Sequence, residues 1–560
     1  MSSSNTAATA AAAATLVNQA HPHVRALLSA FDKLGDQSIS EFKSSIPETF
    51  GEVVAKIASQ KMMASDFILR NRMRMKESIE KFHREADTLT PSVRESIDLL
   101  DDPTTKIVVS THQPNLFAYG GVFKKIVLLE GIRKKSASSD FGKVVNLFLI
   151  VDHDFVDETW IRMAQLPSIR HSSGIMELRV PVGDSMRWLM VCNMPLPAKN
   201  IVNSWKHQIK LWIRYCTGSD LNKRREANSN LDQFWQDVVE PSYSSARSYS
   251  DLNAFISSKL VNTVWGYGTL FVRLSQMSHV FENGFNFLLS NFGIYSDALR
   301  GIEARMMSKD IDTGVGSATH QNAPVWVHCT CGSKASTRIV RHGLDLYLDG
   351  PCISCKKHLE LCIGRQDNLE LSKSAGHLSP RAIPIPLLLS RDLGISCYAS
   401  GTGGIGYLVD GSIVAKKLSI GFPLVTIWAS KDRYAGIGQL AASNREGTAG
   451  AYQDIEERLA SLRSQCDAYQ GKIQPLLAVR RDHMAKGEPA DRLLSEIFSL
   501  KEEQRSIRQE ISYLVKARNV SRVAPCIIDH IANFGMSRVE QAWSDHLAHD
   551  GRLASPVIFR

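Results

Sequence analysis

The 560-residue chain has no apolar run near the roughly 18–20 residues that a membrane-spanning helix needs. Its longest candidates, such as 384–389, stop far short, which excludes a helical membrane protein. The opening stretch, MSSSNTAATAAAAATLVNQ, has no basic residue before its alanine tract and lacks the zones of a secretory signal. It reads as a disordered lead-in, and a cytoplasmic location is the expectation. Cysteine is scarce, ten in the whole chain, too few for a disulfide scaffold. Long lysine or arginine runs are also missing, so no nucleic-acid arm is present. The net charge of +9, from 66 basic and 57 acidic residues, favours anionic ligands only weakly.

What remains is a composition of ordinary globular type, 44% hydrophobic and 22% charged. The length exceeds one hydrophobic core and implies roughly two to four domains. Residues 21–103 read as a helical region, with apolar residues at helical spacing among many charges. KIVVS from Lys106 and VVNLFLIV at 144–151 are buried-strand patterns, separated by the helix-like GGVFKKIVLLEGIRKK. That spacing is the mark of a parallel α/β unit, here a Rossmann-like core with a helical insertion over 104–310. Strand signals resume over 376–450, in ISCYASGTGGIGYL and FPLVTIWAS, so the core is interrupted and then continued.

Two stepped apolar series follow. One runs Ile455, Leu459, Leu462, Cys466, Tyr469, Ile473, Leu476, the other Leu493, Ile497, Leu500, Gln504, Ile507, Ile511, Leu514. With Gly487 and Pro489 between them they predict an antiparallel coiled-coil hairpin over 451–520, and a homodimer formed through it. Pro475 should kink the first helix or end it early. An ordinary helical pair packed on the core is the other reading. Residues 521–560 form a C-terminal segment expected to pack on the core.

The segment 311–375 contains Cys329-x-Cys331 and, twenty residues on, Cys352-x-x-Cys355. Each short pair can fill two corners of a tetrahedron, and Gly332 and Gly350 suit knuckle turns whose amides reach thiolate sulfur. Four thiolates suit Zn²⁺ and leave no open position, so a structural zinc ribbon is expected, with His328 and His358 as reserve ligands. Coincidental clustering and a redox role for CISC are the alternatives.

Three strand-end loops can carry chemistry, because ligands of open α/β sheets bind at the carboxyl ends of strands. The first holds His112, Gln113 and Asn115, with Gly120 and Gly121 at the next helix start, where free amides suit an anion. The second is LIVDHDFVDE, whose Asp152, His153 and Asp154 can accept protons, hold an amine or bind a metal. The third ends in Gly401, Thr402, Gly403 and Gly404, supple enough for backbone to approach a ligand. A capping loop is the bland reading of the second, and plain turns of the other two.

In this order, THQPNLFAYGG, VDHDFVDE, LSPRAIPIP with SGTGGIGY, FPLVTIWAS and the hairpin resemble the cysteine-adding enzyme family of bacillithiol biosynthesis. The resemblance covers about residues 104–160 and 377–520, and the Asp-His-Asp-Phe and Ser-Pro…Gly-x-Gly-x-Ile-x-Tyr pieces are its most specific parts. It implies a Rossmann-like core reminiscent of class I nucleotidyl-transferring enzymes, a ligase joining cysteine to glucosaminyl malate, and dimerisation by the coiled coil. It places His112, Gln113, Asp152, His153 and Asp154 along one wall of a pocket, and Ser379, Gly401, Gly403 and Tyr407 along the other. A nucleotide is an open second cofactor. The chain departs from the pattern where family arginines fall on Ile385 and Ile427 and a glutamate falls on Gly404. Lys431 and Arg433 lie nearby in sequence as substitutes for the lost charge. A zinc-stabilised dimer that binds a ligand or partner without catalysis is the alternative. Nucleic-acid binding through Lys334, Arg338, Arg341, Lys356 and Lys357 ranks third, since no aromatic platform accompanies those charges.

Overall fold

The computed structural model describes residues 37–138, 141–309, 319–365, 368–372, 374–429, 432–443, 455–549 and 551–559. Lys431 and the lead-in at 1–20 lie outside them. Five strands form the central sheet: β1 (Lys106–His112), β2 (Val144–Ile150), β3 (Leu270–Arg273), β4 (Ile395–Ser400) and β5 (Leu424–Ile427). They are all parallel, in the order β5-β4-β1-β2-β3. Apolar residues on both faces suit such a sheet, because helices must cover both sides. All seven residues of β2 are buried.

Alternate side chains leave the sheet on opposite faces and enter separate cores. Val108, Val144 and Phe148 join the face covered by the helix Gly120–Ala137. Ile107, Val109, Val145 and Leu147 join the face covered by the helices Asp66–Glu85, Pro384–Leu393 and Ile405–Lys417. The chain enters at the centre with β1, adds β2 and β3 on one side, and returns much later to add β4 and β5 on the other. Strand order therefore reverses between β1 and β4, the place where open α/β sheets leave a crevice.

The long excursion between β3 and β4 carries the four cysteines. A three-stranded antiparallel sheet joins Val325–His328 to Lys334–Ser336 and to Leu378–Pro380. A four-stranded sheet follows from Arg338–His342, Asp345–Pro351, His358–Arg365 and Asn368–Leu369. Beyond β5, two 32-residue helices, Ile455–Lys486 and Asp491–Arg522, run antiparallel. Arg458 reaches Glu510 and Tyr469 reaches Glu503 across the pair. Every position of the two stepped series is buried or half-buried, so the periodicity marks the contact between these helices.

Two expectations need correction. Pro475 does not end its helix, which continues to Lys486. Proline removes the bond to the carbonyl four residues earlier, and both Pro475 and Gly471 are exposed, so water can satisfy that carbonyl. The helical insertion expected within 104–310 also contains β3, whose four residues are too few to show a period.

Candidate functional site

The carboxyl ends of β1 and β4 open onto a cavity of about 820 Å³, a volume suited to a small metabolite. Thr111 Oγ1 and Tyr398 Oη lie 2.5 Å apart and tie the two strand ends together. Of the residues expected in a pocket, His112, Gln113, Asn115, His153, Asp154, Gly401, Gly403, Gly404 and Tyr407 line this cavity. Asp152, Ser379, Gly120 and Gly121 do not.

Each of the four has a physical reason. Asp152 is fully buried and turned toward β3, where its carboxylate accepts from Ser275 N at 2.9 Å and Ser275 Oγ at 2.6 Å. Burial still pushes its pKa up to about 6. Ser379 Oγ is held 2.9 Å from His328 Nε2. Gly120 and Gly121 face a smaller, separate cavity beside Asp432 and His530. A Cβ on Gly120 would stand 2.8 Å from the His530 ring, so the glycine there permits close packing and offers no open cradle for an anion.

The carboxylate wall is built from two loops. Gln113 Nε2, after β1, donates to Asp154 Oδ2, after β2, at 2.9 Å. His153 beside it is buried, and its Nδ1 has no hydrogen-bond partner among the described residues. Burial, with the neighbouring His328 and Lys334, holds its pKa well below the usual range, so the ring is neutral. His112 Nδ1 lies 3.0 Å from the Gln113 carbonyl, which selects the tautomer with Nδ1 protonated and Nε2 free to accept. Burial, then the charge of Lys125, lowers the His112 pKa to about 3.

Two cations face this wall. Lys125 is 3% exposed, and its Nζ donates to the Thr111 carbonyl at 3.0 Å. No carboxylate lies within ion-pairing distance of it among the described residues, and burial pushes its pKa down to about 7. Lys334, also 3% exposed, comes from the cysteine-bearing excursion. Its Nζ donates to the His153 carbonyl at 2.5 Å, lies 3.9 Å from Asp154 Oδ1, and sits over the rings of Trp326 and Phe155. Burial lowers its pKa to about 8. Ile385 lines the cavity, whereas Ile427 and Arg433 do not. Arg433 instead pairs its backbone with Val557 and Phe559.

The glycine loop makes the opposite wall. A Cβ at Gly404 would come within 2.5 Å of Ser400 Oγ and 2.7 Å of Tyr407 Oη. Any side chain at this position would therefore require the Ser400 and Tyr407 hydroxyls to shift.

Sequence reasoning missed Lys125 as a site residue and treated Lys334 only as surface basicity. The signal for Lys125 was its place between Phe123 and Ile126 in a helix buried on nearly every side. For Lys334 no local signal exists, because its reach into the cavity depends on long-range packing.

The second site is the cysteine cluster. The ligand atoms of Cys329, Cys331, Cys352 and Cys355 all lie within 4.8 Å of one another and could hold a metal ion. Cys329 and Cys355 sulfurs are 3.6 Å apart, as are those of Cys331 and Cys352. Four Zn–S bonds of roughly 2.3 Å in a tetrahedron set sulfurs about 3.8 Å apart, so the spacing suits that ion. The Lys357 amide bonds the Cys355 sulfur and pulls its pKa down to about 7. His328 faces Ser379, and His358 pairs with Asp349 at 2.5 Å, so neither points to the cluster. Among the described residues no helix is long and apolar enough to cross a membrane.

Neither protein-family models nor curated proteins give a match to this chain.

Proposed function

We propose that the protein is a carbon–nitrogen ligase resembling the cysteine-adding enzymes, joining an amino acid such as cysteine to a small, anionic, amine-bearing metabolite. The carrying observation is that three strand-end loops meet at one cavity where the strand order reverses, and that two buried lysines face its carboxylate wall. A buried ammonium is costly unless negative charge reaches it; among the described residues Lys125 has no carboxylate partner and Lys334 only Asp154 at 3.9 Å, so a ligand can supply the rest. Lys125 and Lys334 would hold the acidic group of the metabolite, in place of the arginines replaced by Ile385 and Ile427.

Asp154, oriented by Gln113, would bind the reacting amine and accept its proton, and neutral His153 would orient it. The amine nitrogen attacks the carboxyl carbon, the new C–N bond forms, and the C–O bond to the leaving group breaks. That group is water, or phosphate where a nucleotide has activated the carboxylate. The glycine loop lets the backbone approach the substrate, and Tyr407 closes that wall. A Rossmann-like core, a zinc ribbon at the four cysteines, and a coiled-coil homodimer complete the reading. Val479, Met484 and Phe498 support the dimer, being large apolar side chains exposed toward the far end of the helical pair. Four cysteines clustered without a disulfide fit a reducing, cytoplasmic setting.

Incubation with cysteine and glucosaminyl malate, with and without ATP, followed by mass spectrometry, tests the assignment. A conjugate lighter than the summed substrates by one water supports it. No conjugate under either condition, from folded protein, removes it. A second reading, ligand binding without catalysis, is favoured by Asp152, whose carboxylate is spent on Ser275. Saturable binding without product would select it.

A further inference from the structure

The cysteine cluster and the cavity are joined through a single strand. Cys329 and Cys331 occupy the turn between Val325–His328 and Lys334–Ser336, so Lys334 opens the strand that leaves the knuckle. The turn that begins at Cys352 grips the same strand from outside. Ile353 N donates to the Lys334 carbonyl at 3.2 Å, and Cys352 forms an antiparallel bridge with Ala335. The knuckle is also docked on the segment that follows the Asp-His-Asp loop. Met190 N and Asn193 Nδ2 both donate to the Gly332 carbonyl, at 3.0 and 2.9 Å. Gly332 adopts a φ of +85°, and a Cβ there would meet Leu189 at 3.1 Å.

Among the described residues Lys334 has no carboxylate partner closer than 3.9 Å. Its ammonium is held by one carbonyl and two aromatic rings, all on elements that the knuckle contacts or belongs to. Without an ion, no bond joins the sulfurs of the two turns, and the strand is clamped only by the Ile353–Lys334 hydrogen bond and the Cys352–Ala335 bridge.

We infer that a metal ion in the Cys329, Cys331, Cys352, Cys355 cluster is a positioning device that sets Lys334 in the cavity wall and so controls the cavity's capture of an anionic ligand. The inference rests on the reading of the cavity as a ligand site, and it assigns the ion an effect on binding beyond stabilising its own loop. Local opening of this kind spares Lys125, because its helix packs in the core on the other face of the sheet, whereas Val325 and Val327 pack on the face that carries Ile107, Val109 and Ile395.

The test is amine labelling of the full-length protein, read by mass spectrometry at Lys334 and Lys125 with and without metal. It needs no ligand, so its outcome is independent of whether the ligase assignment survives. Zinc-loaded protein should protect both lysines. Chelation, or the Cys355→Ser substitution, should raise Lys334 labelling about tenfold while Lys125 stays within about twofold, and added zinc should restore the chelated wild type. Should Cys355→Ser fail to fold, the chelated wild type alone carries the test. Unchanged Lys334 labelling after metal loss overturns the inference. A parallel rise at both lysines also overturns it, because the ion would then support the whole fold and not this side chain.

Discussion

Replacing Lys125 with methionine should stabilise the protein at neutral and acidic pH while weakening its hold on an anion. The ammonium is 3% exposed, and its one observed partner is the Thr111 carbonyl at 3.0 Å. Burial lowers its pKa from 10.5 to about 7. At about 1.36 kcal/mol per unit, the charged form costs the folded state about 5 kcal/mol. The folded protein loses this proton near pH 7 and the unfolded chain near 10.5, so the unfolded state binds more protons between them. Stability therefore rises with pH across that window, and the full penalty applies below it.

Methionine keeps the side-chain volume and gives up only the bond to Thr111, worth about 1 kcal/mol. The variant should then exceed the wild type by about 4 kcal/mol at pH 6 and about 1 kcal/mol at pH 9. Its advantage should vanish near pH 10. Chemical denaturation in buffers free of phosphate, sulfate and carboxylates measures the difference, provided the slopes with denaturant agree. A variant less stable than wild type at pH 6 would refute the reasoning, since the ammonium would then be contributing to the fold.

Asp152→Asn should change stability by less than about 1 kcal/mol at pH 7 and leave ligand binding intact, because amide and carboxylate can both serve Ser275. Asp152→Ala should cost about 2–3 kcal/mol in urea unfolding by stranding the buried Ser275 amide; loss of binding in the folded Asn variant would put Asp152 back in the site. Elemental analysis should return one zinc per chain, falling to near zero in Cys331→Ser, and a metal-free native protein would remove the ribbon. Phe498→Glu combined with Met484→Lys should convert a dimer to a monomer in sedimentation, and a monomeric wild type would end the coiled-coil reading.

The strands of the core were legible where burial on both faces leaves an unbroken apolar run, as in β2, and the helical pair where a period persists over many turns. β3 was not, because four residues carry no period. At the site, loop placement was legible from strand ends, but side-chain direction was not. Asp152, His153 and Asp154 are consecutive, and only packing against Ser275 decides that the first turns away. The two buried lysines of the cavity were the least legible part. Lys125 is hidden in a buried helix, and Lys334 arrives from a segment some 180 residues beyond the loop it contacts.

The central claim is that this cavity binds a small anionic metabolite through Lys125 and Lys334. Isothermal titration of zinc-loaded wild type, Lys125→Met and Lys334→Met with glucosaminyl malate at pH 7 tests it most directly. One saturable site per chain is expected in the wild type. Affinity about 10- to 100-fold weaker is expected in each variant, the worth of one hydrogen bond to a charged group. Wild-type protein that is folded and metal-loaded yet binds no ligand, or variants that bind as tightly as the wild type, would contradict it.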